Sequence, residues 1–246
     1  MVGERQLVGR RWSWRAGPAA LALGSLMLGG LTACGPGLGS PGSVVQRMSK
    51  TMAGLAGYRI SGSSRALQTT TSFAVYVRRD GAFRGSLDIA VPGAPTFRSQ
   101  VVATPGSVYV RSPTELQELG ISALPGNLDP ATTWVLQPKA VAKSYRASVE
   151  PFSGAGLTGT LRQALKGPLR VHRAKLRGRA VLVVEERGGS SSLRLFISST
   201  AYQLLELAIT GAQPISLRYS DFGHAEPVPE PPSSKVYVPP TPAAPG

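Results

Sequence analysis

Over much of this chain apolar and polar residues alternate with the two-residue period of a strand that is buried on one side only. Phe73, Val75 and Val77 fall on one side, with Ser72, Tyr76 and Arg78 on the other. Past the turn signal Asp80-Gly81, Phe83, Leu87 and Ile89 continue the apolar side opposite Arg84, Ser86 and Asp88. An Asp-Gly pair between two such runs reads as a hairpin. Pro92-Gly93 and Pro105-Gly106 punctuate two further strands, at 97–102 and 108–111. The pattern predicts an antiparallel meander with one apolar and one polar face.

Ahead of the meander, Val44, Val45, Met48, Met52 and Leu55 recur at helical spacing, and Gly57 ends that helix before a strand opens at Tyr58 and Ile60. Ser112-Pro113-Thr114-Glu115 reads as an N-cap, a first-turn proline and a capping-box glutamate for a short helix. A short strand at 132–136 containing Trp134 is followed by helical segments at 139–149 and 157–165. Strands return at 169–173, 180–186, 193–198, 203–209 and 215–219, separated by Gly-rich turns. Strands and helices in this segregated order give an α+β fold. Residues 227–246 are proline-rich and predicted to be disordered or extended, since proline supplies no backbone donor and the segment offers few apolar contacts.

The first forty residues have a different character. Arg5, Arg10, Arg11 and Arg15 precede an uncharged apolar run over 16–33 that is broken by Gly and Pro. Such a run suits the core of an export signal better than a stable membrane-spanning helix. It ends in Leu31-Thr32-Ala33-Cys34, and Gly35 follows. These residues resemble the bacterial lipobox, which implies cleavage before Cys34 and lipid attachment to that cysteine. The expected organisation is a lipoprotein signal peptide at 1–33, a Gly/Pro/Ser tether at 34–43, one domain at 44–226 and the tail at 227–246. The expected location is the extracytoplasmic face of the cell membrane.

Charge and chemistry narrow the picture. The chain carries a net charge of +14, and the segment 1–33 holds four arginines and one glutamate, so +11 remains beyond it. Export argues against nucleic acid as the partner, which leaves anionic lipid headgroups or wall polymers. The densest cations are Arg170, Arg173, Lys175, Arg177 and Arg179, read either as a solvated strand and turn or as a contact for anionic headgroups. Gly154-Ala155-Gly156-Leu157-Thr158-Gly159 satisfies GxGxxG. The stretch before it contains Pro151, and the region twenty residues on is basic, so a helix start is the better reading. Two histidines, one cysteine and no GxSxG elbow supply no catalytic constellation, and adjacent Glu185 and Glu186 point to opposite faces of a strand. No enzyme activity, metal or cofactor is expected.

The order of lipobox, tether, helix, antiparallel strands, helical middle and returning strands resembles the LppX/LprG-type lipoproteins, relatives in shape of the LolA/LolB lipoprotein carriers. The resemblance covers roughly 44–230 and is carried best by Leu128-Asp129-Pro130-Ala131-Thr132-Thr133-Trp134 and by the closing strand that ends Tyr219-Ser220-Asp221-Phe222-Gly223. It implies a strongly curved antiparallel half-barrel that wraps short central helices and leaves a cavity for acyl chains of a lipid or glycolipid. The apolar strand positions Phe73, Val75, Val77, Phe83, Leu87 and Ile89 are the candidate cavity lining, and the same residues would serve equally well as a packed core. A non-transporting envelope module that binds protein or wall polymer, or senses for a membrane partner, is the rival reading.

Overall fold

The structure is a computed structural model and describes residues 38–66, 69–112, 116, 124, 128–165, 167–186, 192–211 and 214–240, all within the compact unit Cys34–Gly246. The lipobox and Cys34 lie outside the described residues. So does the short helix expected after Ser112, apart from Leu116, which is buried.

Helix α1 (Pro41–Gly54) starts inside the expected tether. Ser40 caps it, its hydroxyl accepting from the Ser43 N–H at 3.2 Å, and proline occupies the first helical position, where its missing donor costs nothing. The meander follows as β1 (Gly57–Ala66), β2 (Thr69–Arg78), β3 (Phe83–Ala90), β4 (Phe97–Ala103), β5 (Val108–Arg111) and β6 (Trp134–Leu136). Helices α2 (Lys139–Val149) and α3 (Gly154–Ala164) are joined by a 3-10 turn at Glu150–Phe152. The chain then returns through β7 (Leu169–Leu176), β8 (Arg179–Glu186), β9 (Ser192–Ser198), β10 (Leu204–Thr210), β11 (Ile215–Ser220) and a two-residue β12 (Val236–Tyr237).

The twelve described strands form one sheet in the order β12-β6-β5-β4-β3-β2-β1-β11-β10-β9-β8-β7. The two halves join where β1 pairs antiparallel with β11, from Arg59↔Ser220 to Ser64↔Ile215. Every neighbouring pair is antiparallel except β12 with β6. Twelve flat strands at about 4.8 Å spacing would span roughly 50 Å, whereas a fourteen-residue helix is about 21 Å long. Yet a single core cluster joins Val44, Met48 and Met52 of α1 to residues as far apart in the sheet as Val110 of β5 and Leu182 of β8. Both halves can reach the same helices only because the sheet curls around them. This is the curved half-barrel that the family resemblance implied.

Connections β2–β3, β4–β5, β7–β8 and β9–β10 lie at one end of the sheet, and β1–β2, β3–β4, β8–β9 and β10–β11 at the other. The helices close the first end. Gly154 explains part of the GxGxxG sequence: a side chain there would meet the Met52 carbonyl oxygen at 2.8 Å and the Ala53 Cα at 2.9 Å. Glycine lets α3 approach the end of α1 this closely, and Ser153 caps the helix. Arg146 of α2 donates to the carbonyls of Thr104 and Ser107, tying that helix to the β4–β5 turn.

The tail corrects the sequence reading. Instead of hanging free, the described residues beyond β11 cross the outer face of β2–β4 and reach β6. Val228 is buried against Tyr76 and Ala82, with Val102 beside it. The Tyr76 hydroxyl donates to the His224 carbonyl and accepts from the Glu226 N–H at 2.7 Å. Glu226 pairs with Arg84 at 2.5 Å and Glu230 accepts from Thr104 at 3.0 Å. Val236 and Tyr237 add a parallel strand beside Trp134 and Val135. Prolines are tolerated here because a strap across a sheet face needs no ladder donors, and an edge strand needs them on one side only. Tyr76, assigned by alternation to the polar face, is therefore buried as well.

Candidate functional site

On the concave face the register stacks side chains in rows across the strands. Over β1–β5 burial falls from row to row, whereas beyond the β1–β11 junction Leu217, Leu207, Leu195 and Leu193 of the outer rows stay buried. Nearest the helices, Tyr58, Val77, Phe83, Ala103 and Val108 are each at most 3% exposed. The next row runs Ile60, Val75, Gly85, Val101 and Val110, with Val75 and Val101 half-buried against the core. The third row carries Gly62, Phe73, Leu87 and Ser99, and the fourth carries Ser64, Thr71, Ile89 and Phe97. Across the β1–β11 junction, Leu217 and Ile215 continue these two rows, and Ile215 pairs with Ile209 of β10.

The six predicted lining residues share one face but divide by depth. Val77 and Phe83 belong to the packed core, beneath the helices. Phe73 and Val75 sit at its margin, and Leu87 and Ile89 are half-buried outside it. Beyond the second row, the apolar positions that remain partly open include Phe73, Leu87, Ile89, Phe97, Ile209 and Ile215, toward the end away from the helices. The last three were legible as apolar strand positions, but only the register places them beside Leu87 and Ile89. Two clefts lie elsewhere. One, of about 430 Å³, opens beneath the strap between Arg59, Arg84, Gln100, Trp134 and Glu226. The other, of about 320 Å³, lies between Leu38, Arg173, Ala180, Leu182, Ser199 and Tyr202. Neither is lined by Phe73, Phe83, Leu87 or Ile89.

Two tyrosines place hydroxyls deep in the hollow. The rings of Tyr58 and Tyr219 lie 6.0 Å apart, tilted by 43°. Tyr58 donates to the Phe152 carbonyl at 2.7 Å, whereas the Tyr219 hydroxyl is buried with no hydrogen-bond partner among the described residues. Burial pushes both hydroxyls above the usual phenol range, and for Tyr219 the neighbouring Tyr58 adds to the shift. Neither hydroxyl is suited to proton transfer at neutral pH. Among the described residues no three His, Cys, Asp or Glu side chains gather to hold a metal ion, and no helix is long and apolar enough to cross a membrane. The adjacent glutamates are structural: Glu185 lies 3.6 Å from Arg194, and Glu186 accepts from the Gly167 N–H at 2.6 Å.

No family model and no curated protein matches the chain. Among solved structures, the chain is similar to lipoprotein LppX of Mycobacterium tuberculosis. Those two are 11% identical, with 76% of this chain and 97% of LppX covered and a TM-score of 0.48. It is also similar to MucB in the MucA/MucB complex of Pseudomonas aeruginosa, at 16% identity over 76% of this chain, with a TM-score of 0.38. The chain spans 58% of that protein's length. Both are distant likenesses of fold.

Proposed function

We propose that this chain is an envelope lipoprotein, anchored through Cys34, that holds acyl chains of a lipid or glycolipid at the open end of its concave face. The observation that carries this reading is the graded burial of that face: apolar side chains continue past the core to Phe73, Leu87, Ile89, Phe97, Ile209 and Ile215, where they stay partly open. Covering such a surface with a hydrocarbon chain is favourable by about 0.8 kcal/mol per methylene. The deep row of Tyr58, Val77 and Phe83 acts as the floor and gives rigidity.

Native mass spectrometry of residues 34–246 with Cys34→Ser tests the binding reading, and bound lipid is the expected result. Leu87→Gln separates a lipid-holding surface from a core. At a half-buried position water can satisfy the new amide, so the unfolding midpoint should hold while bound lipid falls. In a packed site the same change strands a polar group at about 1–3 kcal/mol. A collapsed midpoint with no lipid in the unsubstituted protein would overturn the reading. Cys34→Ala should release the protein from membranes or leave uncleaved precursor, since two acyl chains anchor stably and one does not. Labelled palmitate that still enters the variant would refute lipidation at Cys34. The cleft beneath the strap, with Trp134 among charged side chains, favours a second reading, a protein- or wall-polymer-binding module.

A further inference from the structure

Among the described residues, the densest unpaired charge stands near Leu38, the first of them after the expected tether start. The β7–β8 hairpin carries Arg170, Arg173, Lys175, Arg177 and Arg179, all exposed. Arg177 pairs with Glu206 at 2.7 Å, while Arg170, Arg173, Lys175 and Arg179 have no carboxylate partner among the described residues. The hairpin is tight: Arg177 and Gly178 both take positive φ, at 50° and 81°, as a two-residue turn between right-twisted strands requires. The arginine therefore sits at the projecting tip by construction. Leu38 lines the same cleft as Arg173 and Ala180, and Tyr202 beside it is held under Arg47 of α1 by a cation–π contact at 5.5 Å.

Only four peptide links separate Leu38 from Cys34, so a fully extended chain reaches at most about 14 Å. A bilayer that holds lipids attached to Cys34 must then lie within about that distance of this corner. That gap is comparable with the screening length of about 8 Å at physiological ionic strength. We infer that the β7–β8 hairpin is a docking surface for anionic phospholipid headgroups, which fixes the orientation of the anchored domain on its membrane. Strand β7 is also the sheet edge away from the strap, and cations along an edge keep other strands from adding there. Edge protection alone does not require the cluster to coincide with the tether.

The inference rests on anchoring at Cys34. The assay therefore uses the unlipidated chain, residues 34–246 with Cys34→Ser, so that failure of the hairpin and failure of lipidation are read separately. Sedimentation with vesicles of phosphatidylcholine containing about one part in four phosphatidylglycerol should show binding, and vesicles of phosphatidylcholine alone should not. Each basic residue near such a surface is worth about a fivefold change in partition, so R173Q/K175Q/R179Q should weaken binding on the order of a hundredfold. A control, R98Q/R194Q, removes two exposed charges near the β3–β4 and β8–β9 connections, at the opposite end of the sheet. It should change binding far less, with unaltered melting curves in both variants. Equal binding to neutral vesicles, an unaffected triple variant, or an equal loss in the far-end control would overturn the inference. So would soluble polyphosphate binding as tightly as the anionic vesicles, which would point to a wall polymer instead.

Discussion

If the strap over the outer face is part of the fold, one apolar side chain should account for most of its hold. Val228 is 8% exposed, in a niche formed by Tyr76, Ala82 and Val102. Val228→Ala removes roughly two methylene equivalents from that niche, about 1.5 kcal/mol of transfer free energy, with a small further cost where the hole does not close. The strap is held on both sides of Val228, by Glu226 at Arg84 and by Glu230 at Thr104, so it cannot sink freely to fill the space. A loss of about 1–2 kcal/mol is expected, which for a domain of this size lowers the melting temperature by roughly 2–8 °C. The ion pair between Arg84 and Glu226 is more than 40% exposed on both side chains. Such pairs contribute at most about 1 kcal/mol, so Glu226→Gln should cost less than Val228→Ala. Scanning calorimetry measures both. Limited proteolysis beyond residue 226 reports whether the strap has come loose, and cleavage should be faster in the valine variant. If Val228→Ala melts with the unsubstituted protein, and proteases remove the tail from both at the same rate, the strap contributes nothing and the reasoning fails.

The two buried tyrosines should respond in opposite directions. Tyr58→Phe loses the bond to the Phe152 carbonyl and should destabilise by about 1 kcal/mol, whereas Tyr219→Phe removes an unsatisfied buried hydroxyl and should be neutral or stabilising in denaturant titration. Both hydroxyls have pKa values raised in the folded protein, so their contribution is complete below the ordinary phenol pKa of about 10 and is lost as pH rises beyond it. The unsubstituted protein should lose stability above about pH 10, and a double phenylalanine variant should lose less over the same range. In α3, Gly154→Ala forces a methyl group against α1 and should cost about 1–3 kcal/mol. Gly159→Ala meets nothing within 4 Å and should gain about 0.5–1 kcal/mol. Equal effects at the two glycines would refute the close approach of the helices.

The strand ladder was legible in the sequence because each strand buries one face, and a two-residue period then records which. Phe73, Val75, Phe83, Leu87 and Ile89 all fall on the concave side, and α2 spans 139–149 as its spacing predicts. Depth was not legible. Val77 and Leu87 have the same standing in the alternation, yet one lies under α1 and α3 and the other lies beyond their reach, because helix placement is a tertiary fact. The strap escaped notice for a related reason. Proline removes the periodic signal on which strand recognition depends, and Val228 among prolines gives no period at all. Tyr76 shows the outcome: an amphipathic residue on the outer face becomes buried only because a distant segment lies on it. The start of α1 was displaced because Pro41 and Gly42 read as tether, although proline at a first helical turn is a helix signal.

The tether departs at the end of the sheet that the helices close, and the half-open apolar rows lie at the other. Ten residues of β2 rise about 3.3 Å each, so these two places stand roughly 30 Å apart along the strands. If Cys34 anchors it as proposed, the domain is a cup standing on its base, its rim away from the bilayer. To take up lipid from its own bilayer under the proposed function it would have to tip over, and about 14 Å of tether slack cannot supply a 30 Å displacement without lifting the basic hairpin from the surface. Under that proposal, standing upright and tipping to the bilayer would be two postures of one tethered body. The strength of its footing would set how long it stays in each.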